Sequence, residues 1–211
     1  MNTISIKATT LTPFNYGHLP INGGVATIPD MIGDRAVSFA LAAALGMLSP
    51  AGRLPAKNYR AHLAAIPWRS SVLMADDAKL LPPLARRSGL GEEGGYPDKV
   101  RRSANSGNFK EYFLIQEVPS GQVFRGALFG PSPFDHDAVS GKSGIVVRIG
   151  SNRTGMVLIE RDPTTSKVRL NAATALLFDR HLGVARYLHY ETQITALMGL
   201  AEAAAEVATW N

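Results

Sequence analysis

Residues 140–144, SGKSG, contain the Gly-Lys-Ser that ends the phosphate-binding loop of many nucleotide enzymes. Such a loop has a glycine five residues earlier, so that successive backbone N–H groups can surround the phosphates. Here His136 takes that place, and Asp137 would repel a phosphate. The following residues, GIVVRIG, are typical of a strand, whereas a phosphate-binding loop opens a helix. The pattern therefore predicts a turn at a sheet edge and not a nucleoside-triphosphate clamp.

The five histidines suggest little chemistry by their spacing, since none belongs to a zinc-binding HExxH motif. Asp135, His136 and Asp137 could together chelate a hard metal, but a polar turn explains them better. Tyr187 and His189 would share one face of a strand, either as a general base with a tyrosine or as a packing pair. A serine–histidine–aspartate triad stays open because its members need not be close in sequence, although a GxSxG motif is absent.

Basic residues interleaved with aromatic ones form a stronger signal between residues 57 and 70, KNYRAHLAAIPWRS. Cations neutralise phosphates, and flat rings stack on unpaired bases. The predicted nucleic-acid contacts here are Lys57, Tyr59, Arg60, Trp68 and Arg69, to which Arg101 and Arg102 add further positive charge. The alternative is that the two aromatic side chains anchor this segment on the core.

Arg148 and Arg153 flank the turn in IVVRIGSNRTG. An arginine within an apolar strand usually points to the opposite face of the sheet, towards a ligand, a partner or an exposed ion pair. We therefore add both residues to the predicted phosphate contacts.

The positive charge of the chain is concentrated in one segment. Residues 53–110 hold eleven Lys or Arg and five Asp or Glu, whereas the rest of the chain holds eleven and twelve. The excess of +6 in the middle segment compares with −1 elsewhere, and the whole chain has a formal charge of +5. Clustered basic charge is the electrostatic pattern of nucleic-acid binding, although a solvated basic loop would look the same.

The composition is typical of a globular domain of 211 residues, with 45% hydrophobic residues and no cysteine. Disulfides and cysteine-based metal sites or nucleophiles are thereby excluded. We see neither a signal peptide nor an apolar run long enough to cross a membrane, so we expect a cytoplasmic protein. No cofactor is predicted.

The elements that must position these residues follow from hydrophobic periodicity. Strands are predicted at 2–11, 110–118, 122–130, 144–150 and 153–162, the last four as two hairpins. Helices are predicted at 34–48, apolar nearly all round, and at 194–210. Residues 167–178 are ambiguous between strand and helix, and residues 183–190 are a strand or a bridging segment.

Residues 50–110 contain six prolines and a glycine-rich stretch, GLGEEGG, so we expect only short regular structure there. We interpret this range as a basic arm inserted into a single domain that spans residues 1–211. The order of elements predicts an α+β fold, an antiparallel sheet with helices on one face. The ferredoxin-like arrangement is the best-known fold of this kind.

The chain also resembles a known family. A short first strand, a Gly/Pro loop and then PDMIGDRAVSFALAAALGM resemble the opening of the Cas-five family, CRISPR-associated backbone subunits of the RAMP superfamily that cap the 5′ handle of the guide RNA. The element GIVVRIGSNRTGMVLIERD is similar to a recurring strand and basic turn of that family. The resemblance covers the first helix and residues 110–162, and it is greatest to the type I-D subunit.

The resemblance implies a ferredoxin-like (RRM-like) core, with the 50–110 arm as the family's thumb. It implies a non-catalytic role in a class 1 (Cascade-like) complex, in which the chain holds the crRNA handle and contacts other backbone subunits and the large subunit. It also implies that Arg35, after the loop NGG, lies where handle phosphates approach. The arm carries no motif that aligns with the family's thumb.

Alternative functions stay open at this point. One branch of the family cleaves precursor RNA without a metal, and Tyr59, Arg60 and His62 have suitable residue types for that reaction. An unrelated small-substrate enzyme with His189, Tyr187 or His62 in its site is a second alternative. A pure assembly protein, whose basic arm docks on an acidic subunit, is a third.

Overall fold

The computed structural model describes residues 1–48, 58–87, 112–139 and 141–210. It confirms a mixed α+β fold with a large antiparallel sheet. The helices are α1 (Asp34–Ala44), α2 (Tyr59–Ala64), α3 (Ala172–Ala175) and α4 (Leu200–Val207). The strands are β1 (Thr3–Thr10), β2 (Leu19–Ile21), β3 (Gly24–Ala26), β4 (Met31–Ile32), β5 (Arg69–Ser70), β6 (Leu73–Ala75), β7 (Leu84–Arg87), β8 (Tyr112–Gln116), β9 (Val123–Phe129), β10 (Gly144–Ile149), β11 (Gly155–Arg161), β12 (Lys167–Val168), β13 (Arg186–His189), β14 (Thr192–Ile194) and β15 (Met198–Gly199).

The main sheet has the strand order β10-β11-β1-β9-β6-β4, and β5 also pairs with β9. β1 lies between β11 and β9 and is antiparallel to both. Its side chains alternate as predicted for a half-buried strand, with Ile4, Ile6 and Ala8 in the core. The predicted hairpin of β10 and β11 is confirmed, and β10 forms one edge of the sheet.

Helix α1 packs its buried residues Val37 and Leu41 against this sheet. It begins at Asp34, as predicted, and ends at Ala44 because Gly46 turns the chain away with a φ of 72°. The prediction of a helix buried nearly all round is wrong. Ala36, Phe39 and Ala43 are only half-buried, so one side of α1 stays open.

The predicted hairpin of β8 and β9 is wrong, because these consecutive strands lie in different sheets. β9 pairs with β1, β5 and β6, whereas β8 joins a separate sheet with the order β2-β3-β8-β7. The chain crosses between the sheets near Val118, which bridges to Phe14, and Pro119 follows at once. A short turn signal gives no information on which strands its flanks will pair with.

The predicted long helix at 194–210 is much shorter in the structure. Its first part forms β14, which pairs with β13, and β15, which pairs with β12. α4 then packs Ala203 and Val207, with Trp210 beyond its end, into the core. In the ambiguous range 167–178, strand β12 is followed by α3, and the range 183–190 contains strand β13.

The described part of the 50–110 range belongs partly to the core and not to a separate arm. Leu63, Ile66, Trp68 and Leu73 are buried there, and β5 and β6 pair with the central strand β9. Residues 49–57 and 88–111 lie outside the described residues, so the arm stays a prediction for them. Among the described helices, none is long and apolar enough to cross a membrane.

Candidate nucleic-acid interface

A groove lies between helix α1 and the edge strand β10, with a cavity volume of about 340 Å³. One wall is a face of α1, and the other is the end of β10 with the turn that follows it. The residues that line it are Tyr16, Ala36, Phe39, Ala40, Ala43, Ala44, Val146, Arg148, Ile149, Gly150 and Arg153. We call it the α1–β10 groove.

The only charged side chains among the described residues lining this groove are Arg148 and Arg153. Both are exposed, and neither forms an ion pair with any described residue. A second cleft, lined by Asp76, Asp77 and Lys79, has mixed charge instead. The α1–β10 groove is therefore positively charged, with two guanidinium groups free to meet an anion.

The backbone after β10 holds Arg153 in an unusual conformation. Its φ is 55°, in the left-handed region that costs an ordinary residue about 1–2 kcal/mol. Gly150, with a φ of 84°, allows the turn, because a Cβ there would lie 3.0 Å from the carbonyl oxygen of Asn15. The backbone N–H of Arg153 donates to the Gly150 carbonyl at 3.0 Å, which closes the turn. The fold thus accepts local strain to place an arginine at the groove.

Tyr16 forms the inner end of the groove. Its hydroxyl oxygen is buried and makes no hydrogen bond of good geometry to a described residue. Burial raises the pKa of this hydroxyl to about 12, partly offset by the nearby Gly150 backbone. An unpartnered buried hydroxyl beside a groove is able to hydrogen-bond a polar group that enters it.

The apolar wall consists of Phe39 and the alanines of α1. Ala36, Ala40 and Ala43 recur at helical spacing, and their small side chains leave the space that forms the groove. On its other side, Phe39 contacts the ring of Tyr59 at 6.1 Å between centroids. The guanidinium of Arg35 lies 5.0 Å from the centre of the same Tyr59 ring.

The groove thus brings four of the predicted residues into one region: Arg148 and Arg153 line it, and Tyr59 and Arg35 lie beside it. Arg35 is partly committed, since it donates to the hydroxyl of Thr174 at 3.0 Å and to the Ala173 carbonyl at 3.1 Å. Two free cations opposite a flat apolar wall suit a flexible polyanion with planar groups, which is the chemistry of single-stranded nucleic acid.

Trp68 and Arg69 have structural positions instead. Trp68 is only 3% exposed and lies in the core, so a base cannot stack on its ring in this conformation. Arg69 donates to the carbonyl oxygens of Ile66 and Trp68 at 2.7 and 3.1 Å, and its guanidinium lies 5.1 Å from the Phe178 ring centre. Partial burial lowers the pKa of Arg69. The anchoring interpretation of this segment fits Trp68 and Arg69 better than phosphate contact.

Arg60 is exposed and forms an ion pair with Asp179 at 2.9 Å. Such surface pairs are weak, so a phosphate could replace the carboxylate. Lys57, Arg101 and Arg102 lie outside the described residues.

The SGKSG loop is a turn, as predicted. Gly141 has a φ of 76°, the Lys142 amine donates to the Ala138 carbonyl at 3.4 Å, and β10 begins at Gly144. In the neighbouring Asp135–Asp137 turn, Asp135 accepts from Arg161 at 2.8 Å and His136 accepts from the Ala138 N–H at 3.2 Å. Within the described residues, no group of three potential ligand side chains is arranged to hold a metal ion.

The histidine alternatives are placed as follows. His189 does not pair with Tyr187; its ring stacks on His18 at 5.4 Å between centroids. On α2, the three-residue spacing puts Tyr59 and His62 on one side of the helix, but the Tyr59 ring is engaged by Arg35 and Phe39. The sequence analysis missed Tyr16, Phe39 and His18; only the alanine spacing of α1 could have indicated the open helix face.

No family model matches the sequence, and no curated protein is significantly similar to it. Several solved structures are weakly similar. A chain of a type IV-B CRISPR complex is 11% identical with a TM-score of 0.39, covering 90% of this chain and 96% of its own. Pyrococcus furiosus Cmr4 (Cas7) gives 11%, 0.36, 76% and 99% respectively. A chain of the type III-B Cmr-beta complex bound to cognate target RNA and AMPPnP gives 11%, 0.41, 92% and 83%. Because TM-scores below 0.5 do not establish a common fold, the function is argued from the residues of this chain.

Proposed function

We propose that this protein binds single-stranded RNA in the α1–β10 groove, as a non-catalytic subunit of a class 1 CRISPR surveillance complex. The observation that carries the RNA-binding part is the pair of unpaired arginines, Arg148 and Arg153, opposite an apolar helix face. The assignment to a CRISPR complex is supported by the sequence resemblance of the first helix and the strands of residues 110–162.

In this proposal each wall of the groove has its own role. Arg148 and Arg153 bind successive phosphates, because a guanidinium can donate two hydrogen bonds to one phosphate. Phe39 and the alanines of α1 exclude water behind a base, and the Tyr16 hydroxyl donates to a polar atom of the nucleotide. Arg35, Tyr59 and Arg60 extend the contact surface along α1 and α2. The bound RNA is the 5′ handle of the crRNA, and the other partners are the neighbouring backbone subunits and the large subunit.

The ferredoxin-like assignment is also proposed. It is supported by the order β11-β1-β9-β6 with α1 following β1, in which β11, β1, β9 and β6 take the places of the four strands of that fold. Between β9 and β11, the described residues contain two short 3-10 turns (Pro133–Asp135 and Asp137–Val139) and β10 where the fold usually has its second helix.

The test is a titration of fluorescein-labelled oligouridylate with the full chain, followed by anisotropy at several salt concentrations. We expect the double variant Arg148→Ala/Arg153→Ala to bind more weakly and to lower the slope of log K against log salt by roughly 2, one for each lost phosphate contact. Arg161→Ala is the matched control, since Arg161 is an exposed arginine paired with Asp135 outside the groove.

Equal affinity and equal salt dependence in the double variant and the wild type would refute RNA binding in the groove. If the double variant keeps its RNA affinity but no longer binds an acidic neighbouring subunit, the groove is a protein-docking site, as the assembly alternative predicts.

A further inference from the structure

Two exposed tyrosines stand out on the hairpin formed by β13 and β14. Tyr190 is 73% exposed and Tyr187 is 64% exposed, the highest values among the large apolar side chains of the described residues. Large aromatic rings normally bury most of their surface on folding. Two that remain in solvent on one short hairpin suggest a binding surface.

This hairpin is connected to the α1–β10 groove by a continuous row of rings. Tyr16, at the inner end of the groove, stacks on His18 with 5.1 Å between centroids and 23° between planes. His18 stacks on His189 at 5.4 Å and 26°, and His189 meets Tyr190 edge-on at 6.1 Å. The row therefore begins beside the free arginines and ends at the exposed tyrosines.

The hairpin is held in place by polar contacts on both of its strands. Arg186 binds the carboxylate of Asp30 with both of its terminal nitrogens. The N–H of Glu191 donates to His189 Nδ1 at 3.3 Å, and the side-chain amide of Gln193 donates to the Tyr190 carbonyl at 3.3 Å. A ring fixed in this way loses little conformational freedom when a ligand binds, which favours affinity.

We infer that Tyr187 and Tyr190 form a stacking platform for the bases of an RNA strand that leaves the α1–β10 groove. The inference rests on the proposed function, and it adds the direction in which the strand continues. RNA suits this surface because the row of rings connects it to the cationic groove, and because stacking on an aromatic ring accepts any base. The strand would run over the loop at residues 12–30 towards the tip of the hairpin.

The experiment compares two lengths of 5′-fluorescein oligouridylate, roughly 5 and roughly 15 nucleotides, on the full chain. The short oligonucleotide fills the groove alone, whereas the long one reaches the hairpin. We expect Tyr187→Ala/Tyr190→Ala to weaken binding of the long oligonucleotide by about tenfold or more, and that of the short one by less than about twofold. Tyr187→Phe/Tyr190→Phe is the matched control and should keep both affinities, since it keeps both rings.

Failure of the platform and failure of the proposed function give different results. If the alanine variant binds both lengths like the wild type while Arg148→Ala/Arg153→Ala weakens both, the platform is refuted and RNA binding in the groove stands. If neither variant changes RNA affinity, the proposed function fails. If the alanine variant keeps RNA affinity but loses association with a neighbouring subunit, the hairpin is a protein contact and the inference is overturned.

Discussion

Among single residues, Asn171 has the largest role in joining distant parts of the chain. Its side-chain amide donates to Asp34 Oδ1 at 2.8 Å and to the Glu191 carbonyl at 3.0 Å. Its amide oxygen accepts from the N–H groups of Ala173 and Gln193, each at 3.1 Å. One buried side chain thus connects the start of α1, the start of α3 and strand β14.

We therefore expect Asn171→Ala to destabilise the protein by about 2–4 kcal/mol, because it leaves several buried polar groups unpartnered at once. Among these groups is the carboxylate of Asp34, whose pKa is already raised by burial. Urea denaturation at neutral pH measures the loss. Asn58→Ala is the control: Asn58 is exposed and only caps α2, so its loss should cost about 1 kcal/mol. Equal losses in the two variants would contradict the connecting role of Asn171.

At the scale of elements, the stacked pair of His18 and His189 joins the loop at residues 12–30 to the β13–β14 hairpin. Burial, and to a lesser extent repulsion from His189, lowers the pKa of His18. The charged groups on the same two elements are Asp30 and Arg186, which pair with each other, and Glu191. The unfolded chain therefore takes up a proton at His18 more readily than the folded one does.

The sign of the pH effect follows from that difference. Above the ordinary imidazole pKa of about 6.5 both states are neutral at His18, and as the pH falls below it the unfolded state is favoured. We expect the free energy of unfolding to be lower at about pH 5.5 than at about pH 7.5. His18→Phe keeps a stacking ring and should reduce this difference, whereas His181→Phe, at an exposed site, should leave it unchanged. An identical pH dependence in the His18→Phe variant would show that the stacked pair does not contribute.

Elements with a strong local pattern could be predicted from the sequence. The alternation in β1, the apolar residues of α1 and the β10–β11 turn each lie within a few consecutive residues. The partner of β8 could not be predicted, because pairing depends on residues far away in the chain. The early strands of the C-terminal range were missed for the same reason, since the helical spacing of its alanines ignores the pairing of β14 and β15.

The candidate site could be predicted only in part. Arg148 and Arg153 follow from an apolar strand that carries a basic residue and ends in a turn, a local pattern. The groove needs α1 beside β10, elements about 100 residues apart, and no local pattern reports that packing. Trp68 shows the limit of residue type as evidence, because a ring that stacks on a base and a ring that fills a core look identical in a sequence.

For the whole molecule, the test of the CRISPR assignment is the nucleic acid that accompanies the protein when it is purified from cells expressing its neighbouring genes. We expect an absorbance ratio at 260 and 280 nm above that of pure protein, and extracted RNA that is short, uniform and begins with one repeat-derived sequence. The Arg148→Ala/Arg153→Ala variant, prepared in the same way, should carry less of this RNA. A stable multi-subunit assembly without RNA would contradict the assignment and return attention to the histidines.

The position of β1 has a consequence for the synthesis of this protein. Both of its neighbours come late in the chain, at Val123–Phe129 and Gly155–Arg161. At translation rates of roughly 5–20 residues per second, the ribosome needs about 8–30 s to reach the second neighbour. During that time the apolar side chains of Ile4, Ile6 and Ala8 have no sheet to enter. The nascent chain is therefore open to chaperones, and to strand exchange between copies on one polysome, until most of the message has been read.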